Sequence, residues 1–217
     1  MTDINRRDAL KVLGAAPLAG LLDWTPASME RATRHIATLT EDSGAAAATK
    51  FFTAHEWKTV RVLADMVIPR DERSGSATDA KAPEFMDFML AEKDTSESSK
   101  VQMRGGLAWL DGEMRRRFGR DFLASSDAQR RQVLDDIAYP KKAAAEFRRG
   151  ATWFDRFRAS VAGAFFSSAV GWQDLKYVGN VFNPGWNGCP PEATKKLGVS
   201  YEEFDASLAK SRAGRAG

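Results

Sequence analysis

The sequence predicts an all-α domain, and three observations predict it. Apolar residues recur at helical spacing in separate stretches between residues 57 and 165. Three segments carry a Ser/Thr followed three residues later by Glu or Gln, the signature of a capped helix start. No run of alternating apolar residues is long enough to argue for a sheet.

The elements follow in order. Thr53-Ala54-His55-Glu56 is a capping box, in which each end side chain can bond the other's backbone N–H. Trp57, Val60, Ala64 and Val67 then recur on one face, and Pro69 ends the helix. Residues 70–82, "RDERSGSATDAKA", are a turn-rich loop. Pro83 suits a first helical position, with Phe85, Met86, Phe88, Met89 and Leu90 behind it. A helix over about 100–118 carries Leu107, Leu110, Met114 and Phe118 on one face. Ser126-Asp127-Ala128-Gln129 opens the next, with Val133, Leu134 and Ile137, and Tyr139-Pro140 stops it. Residues 151–168 put Phe154, Phe157, Val161 and Phe165 on one stripe, read as core. Ser200-Tyr201-Glu202-Glu203 opens a short last helix.

Residues 171–192, "GWQDLKYVGNVFNPGWNGCPPE", fit no regular element. Trp172, Tyr177, Phe182 and Trp186 stand there among Gly, Asn and Pro. Such aromatics either plug their own core or dock on a partner, since exposed aromatic clusters mark interfaces. Cys189 is the one cysteine, so any disulfide it makes must leave the chain. The alternatives are a free thiol or a small packing residue.

The start of the chain reads as an address label. Arg6, Arg7 and Lys11 precede an apolar run at 12–22, which is shorter than the roughly 20 residues a spanning helix needs. A positive n-region followed by a short apolar run is the form of an export signal. The arginine pair, with Leu10 and Lys11 close behind, points to the twin-arginine route, which carries folded cargo. Thr25-Pro26-Ala27 offers a small-residue cut site. The alternative is a basic amphipathic first helix of a cytoplasmic protein. Residues 28–50 read as a linker or arm, 51–210 as the helical domain and 211–217 as a flexible tail.

Hydrophobic residues make up 43% of the 217, enough for a packed core and too many for a disordered chain. Thirty-two basic residues face twenty-nine acidic ones. The near balance argues against a dedicated nucleic-acid binder, which carries a one-sided basic field. Arg115-Arg116-Arg117, Arg130-Arg131 and Arg148-Arg149 therefore read as solvated faces, with Asp111, Glu113, Asp135 and Asp136 close by. His35 and His55 have no Cys or carboxylate at metal-ligand spacing. Haem-attachment, dinucleotide-binding and nucleophile-elbow motifs are all missing. No catalytic, cofactor or metal residue is therefore assigned to this chain.

Three stretches carry a family resemblance. "EWKTVRVLADMVIPRDERSGSATDAKAPEFMDFML", "RGGLAWLDGEMRRRFGRDF" and "AFFSSAVGWQDLKYVGNVFNPGWNGCP" resemble the gluconate 2-dehydrogenase subunit 3 family over about residues 51–204. Its most specific parts here are Leu63-Ala64-Asp65-x-x-Ile68-Pro69-x-Asp71 and Tyr177-x-Gly179-Asn180 with Trp186-x-Gly188-Cys189-Pro190. The resemblance implies a small subunit without catalytic residues. It implies a large partner of the glucose-methanol-choline class carrying FAD, and a c-type cytochrome as a further partner. It implies a twin-arginine signal serving both chains and a periplasmic, membrane-associated complex. The "GNVFNPGWNGCP" form resembles members beside enzymes that oxidise a sugar 3-hydroxyl. The expected partner interface is Trp172, Tyr177, Asn180, Phe182, Trp186 and Cys189, with Cys189 the candidate intersubunit bridge. The competing expectation is an independent exported helical binding or scaffold protein.

Overall fold

The run APEFMDFMLA is apolar almost all the way round, and a helix of that kind must sit in the middle of a domain. In the structure, a computed structural model describing residues 24–39, 49–177, 188–202 and 206, it does. The helices are α1 (Pro26–Ala37), α2 (Ala54–Val67), α3 (Ala82–Ala91), α4 (Glu97–Phe118), α5 (Asp127–Ile137), α6 (Arg148–Phe166), α7 (Ala169–Leu175) and α8 (Pro191–Leu197). A 3-10 turn at Ala145–Phe147 leads into α6. Among the described residues there is no strand, so the chain is all-α. It divides into two compact units, Met1–Tyr177 and Val178–Gly217.

In the first unit, α3 packs against α1, α2 and α6. Its buried Asp87 answers the problem of a carboxylate inside an apolar helix. The two oxygens accept the backbone N–H groups of Lys50 (2.7 Å), Phe51 (3.0 Å) and Phe52 (2.9 Å). A buried charge is tolerated when it is hydrogen-bonded this fully. Those bonds fix the chain just ahead of the Thr53 capping box, which forms as the sequence predicts.

Helix α6 is the hub, touching α2, α3, α4, α5 and α7. The Phe154, Phe157, Val161 and Phe165 stripe is buried, as expected of core. The long α4 lies antiparallel to α6, and glycine makes their approach possible. A Cβ built on Gly106 would fall 2.0 Å from the Trp153 indole. One built on Gly150 would fall 2.4 Å from the Trp109 ring. Each helix thus offers a Gly-x-x-Trp face, GLAW on α4 and GATW on α6, and each tryptophan lies on the other helix's glycine.

Four expectations are corrected. The linker read at 28–50 holds most of α1, because Thr25 and Ser28 form a capping box and Pro26 sits in the first turn. Ser28 and Ala32 of α1 are buried, so this stretch is part of the domain. Residues 171–175 are helical, since Ser168 caps α7 through the Gly171 N–H. Helix α8 follows Pro190, with Pro191 in its first turn and Gly198 closing it at φ +65°. Asp111 and Glu113, read as part of a solvated face, are buried. Glu113 is held by Arg116 (2.6 Å) and Arg117, while Arg115 and Arg116 themselves remain exposed.

Candidate partner interface

The motif Leu63-Ala64-Asp65-x-x-Ile68-Pro69-x-Asp71 has a structural job. Proline cannot continue α2, so the chain must turn at Pro69, and carboxylates tie the loop that follows. Asp65 accepts both the N–H (2.8 Å) and the hydroxyl (2.7 Å) of Thr78. Asp71 Oδ1 accepts the N–H groups of Arg73 and Ser74, both at 2.9 Å. Asp79 accepts the Ser76 N–H at 2.6 Å and the Arg70 guanidinium at 2.7 Å. Short polar side chains bonding nearby backbone donors are what make an irregular loop reproducible.

Arg73 carries this loop to α7. Its Nη2 donates to the Asp174 carbonyl at 3.0 Å and lies 3.2 Å from the buried Asp174 carboxylate. Loop and helix wall a cavity of about 460 Å³, lined by Arg61, Arg70, Arg73, Lys81, Asp79 and Glu84, with Val170 and Gln173 from α7. Burial raises the Glu84 carboxyl above its ordinary value, against the pull of its own backbone N–H, Arg61 and Lys81. Asp79 is held low by its Ser76 and Arg70 contacts, which outweigh its partial burial.

Beyond the cavity, α7 ends in an unusual way. Lys176 adopts the left-handed conformation at φ 55°, where glycine is the usual choice. For a lysine this costs on the order of 1 kcal/mol. Its N–H bonds the carbonyls of Gln173 and Trp172, and the Tyr177 N–H returns to the Trp172 carbonyl at 2.8 Å. The chain reversal lays Tyr177 against Trp172 edge to face, with ring centroids 5.9 Å apart. Trp172, Leu175 and Tyr177 are 46%, 43% and 56% exposed. Two aromatic rings and a leucine thus stand together in solvent beside a loop built to hold still. Large apolar side chains grouped at the surface mark docking sites.

In the second unit, the turn before α8 is held by Tyr201. Gly188 has φ +91°, and a Cβ there would meet the Tyr201 ring at 2.8 Å. The Cys189 N–H donates to the Tyr201 hydroxyl at 2.6 Å. Cys189 is exposed, which removes the small-packing-residue alternative. Leu197, Val199 and Tyr201 are also exposed. Asn180, Phe182 and Trp186 lie outside the described residues, as do Arg6, Arg7, Leu10, Lys11 and residues 211–217.

Two pairings had no local signal. His55 Nε2 lies 2.6 Å from Asp111 Oδ2, across 56 residues, while Asp111 Oδ1 accepts the Phe122 N–H at 3.0 Å. His35, placed by the sequence reading in a linker, sits on α1 with its ring 4.8 Å from that of Phe88. Desolvation there lowers its pKa, helped by Lys50 and opposed by Asp87. Among the described residues no three His, Cys, Asp or Glu side chains converge on a metal position. No described helix is long and apolar enough to cross a membrane.

Comparison with known proteins bears on the same segments. The profile of the family described as gluconate 2-dehydrogenase subunit 3 matches residues 54–185, more than half of the chain. The chain belongs to that family. The match begins at the first residue of α2, includes the aspartate-tied loop and α7, and runs into the Gly/Asn-rich segment. No curated protein and no solved structure matches. By its name the family is a subunit of a dehydrogenase assembly.

Proposed function

We propose that this chain is the non-catalytic small subunit of an exported, FAD-dependent sugar dehydrogenase. It steadies a large catalytic partner and supplies that partner's twin-arginine signal through Arg6, Arg7, Leu10 and Lys11. The observation that carries this reading is the family match over 54–185, whose α7 end presents Trp172, Leu175 and Tyr177 to solvent. Tryptophan and tyrosine are the usual anchors of protein interfaces, because they bury a large area and keep one polar handle. The flavin belongs to the partner, of the glucose-methanol-choline class, and a c-type cytochrome takes the electrons onward. The complex works in the periplasm, associated with the membrane. The partner oxidises a sugar, and the "GNVFNPGWNGCP" segment favours the branch that attacks a 3-hydroxyl.

The test is co-expression with a neighbouring gene for a large FAD oxidoreductase. The expected result is a yellow complex that reduces dye with sugar, and a partner left in the cytoplasm when Arg6 and Arg7 are both changed to Lys. A partner that is exported and active without this chain favours the independent exported scaffold instead. Cys189, exposed and alone, is proposed to bridge to the partner, because the periplasm permits disulfides. On a non-reducing gel with free thiols alkylated, the two subunits should run as one band that Cys189→Ser splits.

A further inference from the structure

Trp24 is two residues past the apolar run of the proposed leader, and it is only 7% exposed. Its ring lies 5.5 Å from that of Phe85 on α3. On α6, a Cβ at Gly163 would reach 3.0 Å from Trp24 Cζ3, so the absent side chain at Gly163 leaves the indole its space. With Met86, Trp153 and Phe157, Trp24 lines a small pocket. A side chain seated between two core helices is a structural member of the domain.

The next residues are held as firmly. The Ser28 N–H donates to Thr25 Oγ1 at 3.1 Å, and the Thr25 N–H donates to Ser28 Oγ at 3.0 Å. The Met29 N–H bonds the Thr25 carbonyl at 3.0 Å. Two residues on, Arg31 reaches Glu92 (2.5 Å) and Asp94 (3.2 Å) just past the far end of α3. Thr25, Pro26 and Ala27 are exposed, but proteases cut chain whose backbone bonds are free, and Thr25 is bonded through both its N–H and its carbonyl at the start of α1.

Resting on the export reading above, we propose that Trp24 belongs to the exported domain, and that no leader cleavage takes place at Thr25-Pro26-Ala27. The leader therefore joins the fold with no spacer: Leu22, then Asp23, then a core tryptophan. Only a chain in which α1, α3 and α6 have packed fixes the root of its own leader, which suits a route that carries folded cargo.

The test uses the full-length chain, tagged at its C-terminus and produced with its partner. Periplasmic and cytoplasmic fractions are separated, and the intact mass of the periplasmic species is measured. An N-terminus at Trp24 or earlier supports the proposal. An N-terminus at Thr25 or later overturns it while leaving the export reading standing. Recovery in the cytoplasm alone defeats the export reading and this proposal with it, and the fractionation tells the two failures apart. In parallel, Trp24→Ala should lower the melting temperature of the complex by about 5–15 °C. Trp24→Phe, which keeps a ring against Phe85 and Gly163, should recover a large part of that loss. An unchanged melting temperature in Trp24→Ala overturns the structural role.

Discussion

The α4–α6 seam and the α7 end use the same residue types to opposite effect. In the seam, Trp153 is buried on Gly106, and Trp109 lies against Gly150 of the facing helix. At the α7 end, Gly171 precedes Trp172, yet the indole is 46% exposed and meets only Tyr177 among aromatic rings of the described residues. Gly171 serves the backbone instead, since a Cβ there would fall 2.2 Å from the Phe165 carbonyl oxygen. Tryptophan beside glycine thus says nothing about burial by itself. A tryptophan is buried where a facing helix brings its own bare backbone to the same level.

The largest effect is expected where that facing surface is spoiled. Gly106→Ala puts a methyl group where the Trp153 indole already lies. Overpacking of this kind costs about 1–3 kcal/mol or more, against a gain of about 1 kcal/mol from replacing a mid-helix glycine. The net loss should appear as a lower melting temperature in thermal unfolding followed by circular dichroism. A double-mutant cycle with Trp153→Phe should show coupling, because the two sites share one contact. An unchanged Gly106→Ala melting point would mean that the helices can move apart freely.

Trp172→Ala should behave in the reverse manner. With the ring half in solvent, the chain's own stability should change by no more than about 0.5 kcal/mol. Affinity for the catalytic partner should fall by about 2–4 kcal/mol if the ring is a central anchor. Calorimetric titration of the two subunits measures this directly. A destabilised chain with unchanged affinity would move Trp172 into the same class as Trp153.

Two glutamates with largely covered side chains extend the contrast to pH. Glu84, beside the α7 cavity, is held above the ordinary value of 4.5 by desolvation. Its contribution to stability is present below that value and is lost as the pH rises through the folded-state value. Glu113, on α4, is held below 4.5, chiefly by its hydrogen bond from Arg116, with Arg117 adding to it. Its contribution is present above 4.5 and is lost as the pH falls through the folded-state value. Relative to the parent, Glu84→Gln should therefore gain stability as the pH rises from about 4.5 towards the folded-state value of Glu84, and Glu113→Gln should lose it as the pH rises from the folded-state value of Glu113 towards 4.5. Urea unfolding at a series of pH values gives the two slopes, and slopes of equal sign would contradict the assignment.

The smallest effect is expected at Lys176. Lys176→Gly relieves the left-handed backbone and should stabilise the chain by a few tenths to about 1 kcal/mol, leaving the Trp172–Tyr177 pair in place. A loss of stability would show that the lysine side chain contributes something the backbone strain conceals.

By itself the sequence determined what is local. The Thr53 and Ser126 capping boxes form where their spacing places them, because each closes its bonds within three residues. The Phe154, Phe157, Val161 and Phe165 stripe is buried because a helical period needs no knowledge of the partner helix. The aspartates of the 63–71 motif bind donors within thirteen residues, and the motif carries the family with it. Helix α1 and the Thr25–Ser28 box lay within the same range but were hidden by a polar, alanine-rich composition that resembles a linker. Only the tertiary structure decided the rest. Asp87 meets donors 35 to 37 residues away, His55 meets Asp111 across 56, and Trp24 finds Gly163 at the other end of the domain. Which tryptophan is core and which is surface follows from how helices distant in sequence come to face one another, and spacing along one helix cannot encode that.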